Sequence, residues 1–155
     1  MRFSDMPRIL GLDYGDRRLG FALSDFSEII ATPLRVETCE SEKQALKCIV
    51  SVCKETEAVK LVVGMPLNMD GTKGPRAEKT EAVVEGLRKR LEIPIETWDE
   101  RLSTREAERV MIDAGASRAK RKKSIDKLAA QILLQNYLDA QAMRREFNDH
   151  ESRTC

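Results

Sequence analysis

An α/β fold, with a five-stranded mixed sheet flanked by helices, is what this sequence predicts, and three features carry the prediction. Three short apolar segments open the chain with only turn residues between them. Two more apolar segments each follow a stretch of helical periodicity, and the last third of the chain reads as helix. Strands joined by turns pair antiparallel, whereas strands separated by helices pair parallel, so the two halves of the sheet differ in direction.

The elements follow in order. Arg8-Ile-Leu-Gly-Leu-Asp13 is a buried strand entering a turn at Gly15, and Leu19-Gly-Phe-Ala-Leu-Ser24 is its antiparallel neighbour. Residues 29–38 make a third strand, interrupted by Pro33, which suits a sheet edge or a bulge. Ser41 and Gln44 fit a capping box, and Ala45, Leu46, Ile49, Val50, Val52 and Cys53 recur at helical spacing to about Glu57. Residues 59–64 form the fourth strand. Pro66, Asn68, Asp70, Gly71 and Gly74 make residues 65–74 a loop, and Pro75 suits the first turn of a helix running to about Leu91. Residues 93–98 form the fifth strand, and Ser103 and Glu106 cap a helix that stops at Gly115. The basic segment then reads as a loop, Ser124 as the cap of a long helix through Leu138 or beyond, and the charged tail from Arg144 to Cys155 as frayed.

A chain of 155 residues falls within the range of one domain, expected here over residues 1–155 with a core at about 8–140. With 41% hydrophobic and 34% charged residues, bulk disorder is not expected. No apolar run approaches the ~18 residues a membrane span needs, and residues 1–7 lack the apolar stretch of a secretory signal, so a cytoplasmic location is expected. Cys39, Cys48, Cys53 and Cys155 have no paired spacing and read as free thiols. The net charge of +1 says nothing of a nucleic-acid partner, but Arg118, Lys120, Arg121, Lys122 and Lys123 put five cations into six residues. Such a run is either a solvated face or a phosphate-binding surface.

The candidate chemistry is acidic. Asp13 ends the first strand at the rim of the sheet, where Asp is also a common turn residue. Asp99 and Glu100 follow the fifth strand on opposite sides, so only one can share a face with Asp13; the pattern does not choose between them. Asp126 is the most telling, because it shares a helix face with Ala129, Ala130, Leu133 and Tyr137, where an unpaired charge is costly unless it binds a metal. Its place in a first helical turn is alternatively explained by the helix dipole. Three such carboxylates form a hard oxygen site suited to Mg²⁺ or Mn²⁺. His150 is the only histidine and lies in the tail, so zinc sites and Ser-His-Asp triads fit poorly.

Four segments stand out together: Leu10-Gly-Leu-Asp-Tyr-Gly-Asp-Arg-Arg-Leu-Gly-Phe-Ala-Leu-Ser-Asp25, Val63-Gly-Met-Pro-Leu-Asn-Met-Asp-Gly-Thr-Lys-Gly74, Asp99-Glu-Arg-Leu-Ser-Thr104 and Lys123-Ser-Ile-Asp-Lys-Leu-Ala-Ala-Gln-Ile-Leu-Leu-Gln-Asn-Tyr-Leu138. In this order they resemble the motifs of the YqgF (RuvX) family. The resemblance covers about residues 8–140. It implies a ribonuclease-H-like fold and a cytoplasmic bacterial nuclease that matures the 5′ end of precursor 16S ribosomal RNA in ribosome biogenesis, with resolution of Holliday junctions in branched DNA as the alternative. It also implies Asp13, Glu100 and Asp126 as catalytic and metal-binding acids, choosing Glu100 over Asp99 by analogy. Arg101 is a further candidate for phosphate contact or for pairing with an acid. Monomer and homodimer stay open.

Two rivals remain at this level. An Asp-x-Gly turn before a hairpin also resembles the first phosphate loop of actin-like kinases, but the chain is long enough for only one of their two lobes. A non-catalytic nucleic-acid-binding module would use the same basic segment without cleavage.

Overall fold

The computed structural model describes residues 7–99 and 118–153, with the side chains of 118–127 and 151–153 outside that description. Three strands open the chain: β1 (Ile9–Tyr14), β2 (Arg18–Ser24) and β3 (Ala31–Thr38). Helix α1 (Glu42–Thr56), β4 (Lys60–Met65), α2 (Pro75–Arg88) and β5 (Ile95–Asp99) follow, and α3 spans Arg118–Arg153. The strands form one sheet in the order β3-β2-β1-β4-β5. The meander pairs antiparallel and β4 and β5 join in parallel, as their connections require.

Local chemistry sets the element boundaries. The Gly15 N–H donates to the Arg18 carbonyl at 2.9 Å, and a Cβ on Gly15 would stand 3.0 Å from that oxygen, so the tight β1–β2 turn favours glycine. Pro33 lies in the edge strand β3, beside a register shift between Phe21 and Ala22, where the missing N–H breaks no central ladder. Ser41 Oγ accepts from the Gln44 N–H at 3.1 Å. The Gln44 side chain accepts from the Glu40 N–H rather than from Ser41, so the reciprocal half of the box is shifted by one residue. Gly74 caps α2 without a side-chain bond, and Pro75 fills the first turn.

Side chains alternate across the sheet and build two cores. Leu10, Leu12, Leu19, Phe21, Leu61, Val63 and Ile95 pack beneath α1 and α2. On the other face Ile9, Ala22, Ala31 and Val62 meet Ala130, Leu133, Leu134, Tyr137 and Leu138 of α3. The apolar stripe expected on the last helix is therefore buried.

The structure corrects two expectations. The basic segment is the opening of α3 and not a loop, and Ser124 lies within the helix rather than capping it. No Pro or Gly separates Arg118 from Leu138, and Ala, Lys and Arg are good helix formers, so nothing in the chain stops the helix from starting early. The tail also stays helical to Arg153 instead of fraying after Arg144. It carries helix formers such as Ala142, Met143 and Arg144, and Arg145 reaches Glu28 in the β2–β3 connection at 3.1 Å. The helix expected at 103–115, with Ser103, Glu106 and Gly115, lies outside the described residues, as does Arg101. Among the described residues, no helix is long and apolar enough to cross a membrane.

Candidate active site

Alternation along β1 divides its chemistry. Leu10, Leu12 and Tyr14 face α1 and α2, while Ile9, Gly11 and Asp13 face α3. A Cβ built on Gly11 would stand only 2.9 Å from Leu134 Cβ, so the missing side chain lets α3 lie close against the strand. Lys60, which pairs with Ile9, donates from Nζ to Tyr137 Oη at 2.9 Å. Moving from Tyr137 to Leu134 thus moves from the level of Ile9 to that of Gly11, and the N-terminal direction of α3 leads toward Asp13. Ala130 is one turn further along, and Asp126 stands four residues before it in the same helix.

The Asp13 carboxylate is half-buried and, among the described residues, forms neither hydrogen bond nor ion pair. Its cross-strand partner on β2 is Gly20, and Gly64 follows Val63 in β4, so glycines flank it along and across the sheet. Nothing rises from those positions to cover it. Partly removing a carboxylate from water without a partner is unfavourable, and a hard cation is one partner such an oxygen donor fits.

Of the other expected acids, Glu100 lies outside the described residues, and only the backbone of Asp126 lies within them. Among the described residues, no three acidic, histidine or cysteine side chains gather as a metal site. Asp99 can nonetheless be placed. Glu96 reaches Lys60 at 3.6 Å and Trp98 meets the Tyr137 ring edge-on at 5.5 Å, so both lie on the α3 face. Asp99, the next residue, falls on the opposite face, where it lines a cavity of about 580 Å³ with Val84, Glu85 and Arg88 of α2. It does not share the face of Asp13.

A second cavity, of about 430 Å³, opens at Asp13 itself and is lined by Gly15, Asp16, Arg17, Arg18, Gly20 and Arg76. The arginines are the part that sequence reading missed. Arg17 and Arg18 stand within the turn motif already singled out, but Arg76 reaches the site only because α2 starts beside that turn. Lys79 Nζ lies 3.9 Å from Asp16 Oδ1 and links the two elements. Nearby, the hydrogen bond from Lys60 to Tyr137 raises the lysine pKa, and burial raises that of the phenol. Both groups stay protonated at neutral pH, and their bond ties the middle of α3 to β4.

Comparison with known proteins adds to this geometry. A family model described as RuvX, Holliday junction resolvase, matches residues 7–140. The chain belongs to the RuvX family. A relative from Halothermothrix orenii is 51% identical over 134 residues, 86% of this chain and 96% of its own. One from Symbiobacterium thermophilum is 50% identical over 137 residues, 88% and 95% of the two chains. Both carry the name "Putative pre-16S rRNA nuclease". Among solved structures, RuvC from T. thermophilus in complex with Holliday junction substrate aligns at a TM-score of 0.53 and 15% identity, over 88% of this chain and 96% of that one. The Fowlpox virus resolvase with its substrate Holliday junction DNA aligns at 0.54 and 12%, over 86% and 98%. At those identities the likeness is one of fold, and it is the ribonuclease-H-like fold.

Proposed function

We propose that this RuvX-family chain is a metal-dependent endonuclease that hydrolyses phosphodiester bonds in nucleic acid, with the 5′ end of precursor 16S ribosomal RNA as its substrate. The observation that carries the reading is Asp13: a half-buried carboxylate without a partner among the described residues, flanked by glycines, on the sheet face covered by the helix that bears Asp126. The relatives' name supplies pre-16S rRNA, and the family resemblance supplies its 5′ end.

In this reading Asp13, Glu100 and Asp126 hold Mg²⁺ or Mn²⁺. The exclusion of Asp99 from that face favours Glu100, which the family motif also selects. A metal held there would supply Lewis acidity to the phosphodiester. The chain positions the phosphate, and Gly20 and Gly64, beside Asp13 on the neighbouring strands, carry no side chain to block its approach. Arg118, Lys120, Arg121, Lys122 and Lys123 stand in the opening turns of α3, where cations oppose the helix dipole and the first turn has no acidic residue. A polyanion lying across those turns reverses that penalty, which favours the phosphate-binding role for the segment. An rRNA substrate also implies work in the cytoplasm.

A second reading, resolution of four-way DNA junctions, is favoured by the family description and uses the same acids. One assay tests both: a precursor 16S rRNA fragment and a four-way DNA junction incubated with Mg²⁺ or Mn²⁺, with Asp13→Asn as control. Cleavage of the RNA, lost by about a thousandfold or more in the variant and abolished by EDTA, is the expected outcome. Cleavage of the junction alone would transfer the assignment to DNA. Salt-dependent binding without cleavage of either would leave a binding module.

A further inference from the structure

We infer that Arg17 and Arg76 form a phosphate clamp beside Asp13, gripping the nucleic-acid backbone from the β1–β2 turn on one side and the start of α2 on the other. The inference rests on the nucleic-acid substrate proposed above and adds an anchoring point to it. The cations of α3 approach Asp13 along the helix; these two approach it from another element pair.

Three observations converge. Both arginines line the cavity of about 430 Å³ that opens at Asp13. Among the described residues neither guanidinium has an ion pair, although Asp13 and Asp16 line the same cavity and Asp16 faces Lys79. Neither is neutralised by the carboxylates it stands beside, so within the described residues both keep their charge for an anion from outside. Third, Arg76 occupies the second position of α2, whose N-cap Gly74 contributes no side-chain bond. The opening turn of α2, at the positive end of its dipole, is therefore the segment that carries the guanidinium, with Glu78 in the same turn.

The planar, permanently charged guanidinium matches a phosphate in a way an ammonium does not. A backbone phosphate flanking the scissile one would lie between Arg17 and Arg76, with the scissile group over Asp13. The two arginines touch substrate but no reacting atom, so they bind and position it. Their loss weakens binding more than it slows the bond-breaking step.

The test measures affinity against salt concentration in EDTA, where no cleavage interferes. The probes are fluorescein-labelled single-stranded RNA and a four-way DNA junction. Arg17→Ala and Arg76→Ala should each weaken binding about tenfold and reduce the slope of log affinity against log salt by ~0.7 to 0.9. Arg17→Lys and Arg76→Lys should restore the slope but only part of the affinity. Lys43→Ala with Lys47→Ala, exposed positions on α1, serves as the control for general charge loss. An unchanged slope in the double arginine-to-alanine variant overturns the clamp, as does an equal drop in the α1 control or a wild-type chain that binds neither probe. A wild-type chain that binds both probes but cleaves nothing in Mg²⁺ removes the nuclease reading instead, and the salt slopes still decide the clamp.

Discussion

The two faces of the sheet are built on opposite principles. Beneath α1 and α2 the strands present Leu10, Leu12, Leu19, Phe21, Leu61 and Val63, all near zero exposure, against Ala45, Ile49, Val52, Val83 and Leu87. Beneath α3 the same strands present Ile9 and Val62 but also Gly11, Gly20, Ala22 and Ala31, with Asp13, Lys60 and Glu96 among them. The first face buries large aliphatic area, the dominant favourable contribution to folding. The second gives up much of that area. Small residues bring a helix close to the strands and leave the Asp13 carboxylate half-buried at the rim, so the candidate site lies on the face that packs less large aliphatic area.

Substitutions test that division. On the aliphatic face, Leu12→Ala should cost about 2 to 5 kcal/mol, seen as a lower denaturation midpoint, with cleavage per folded molecule unchanged. This is the mirror image of Asp13→Asn, which should remove cleavage while leaving the midpoint near wild type. If Leu12→Ala slows cleavage by the folded fraction as strongly as it lowers stability, the faces are not separable.

Gly11→Ala should join the two effects. Its Cβ meets Leu134 Cβ at 2.9 Å, a contact that turning a side chain cannot relieve, so α3 must move. About 1 to 3 kcal/mol of stability should go, together with part of the cleavage rate, because the displaced helix carries Asp126. Full activity with lowered stability would show that the site tolerates a shift of α3.

The smallest effect belongs to the far end of the α3 face. Asp25 Oδ1 accepts from the N–H groups of Ile29 and Ile30 at 2.7 and 3.1 Å, and these bonds hold its carboxyl below the ordinary range. A depressed folded value means that the stabilisation is present above the unfolded value, about 3.9, and is lost as pH falls through the lower folded one. Asp25→Asn should therefore flatten the stability profile below about pH 4 and leave cleavage near neutral pH untouched. Thermal melts across that range, compared with wild type, would show it.

Much of the scaffold was legible because its signals are local. The short apolar runs in residues 8–13 and 19–24, the proline that suited β3 to an edge or a bulge, and the Ser41 cap each act within a few residues. The stripe on α3 was legible for the same reason: Ala130, Leu133 and Tyr137 repeat at helical spacing and are buried together. The basic segment misled because five cations look like a solvated loop, while the helix through them is set by the absence of breakers and by the packing of Ala130, Leu133 and Leu134 further along it. The tail misled likewise, since no apolar period announces its contact with Glu28.

The sequence by itself determined the strand and helix order, the two directions of pairing, and the acids worth considering, because periodicity and turn chemistry are short-range. Tertiary structure alone decided that Asp99 faces away from Asp13, that Gly11 gives α3 its close approach, and that Arg76 arrives beside Arg17. Those are relations between segments far apart in the chain, and no local pattern encodes which side chain will stand opposite another once the sheet is assembled.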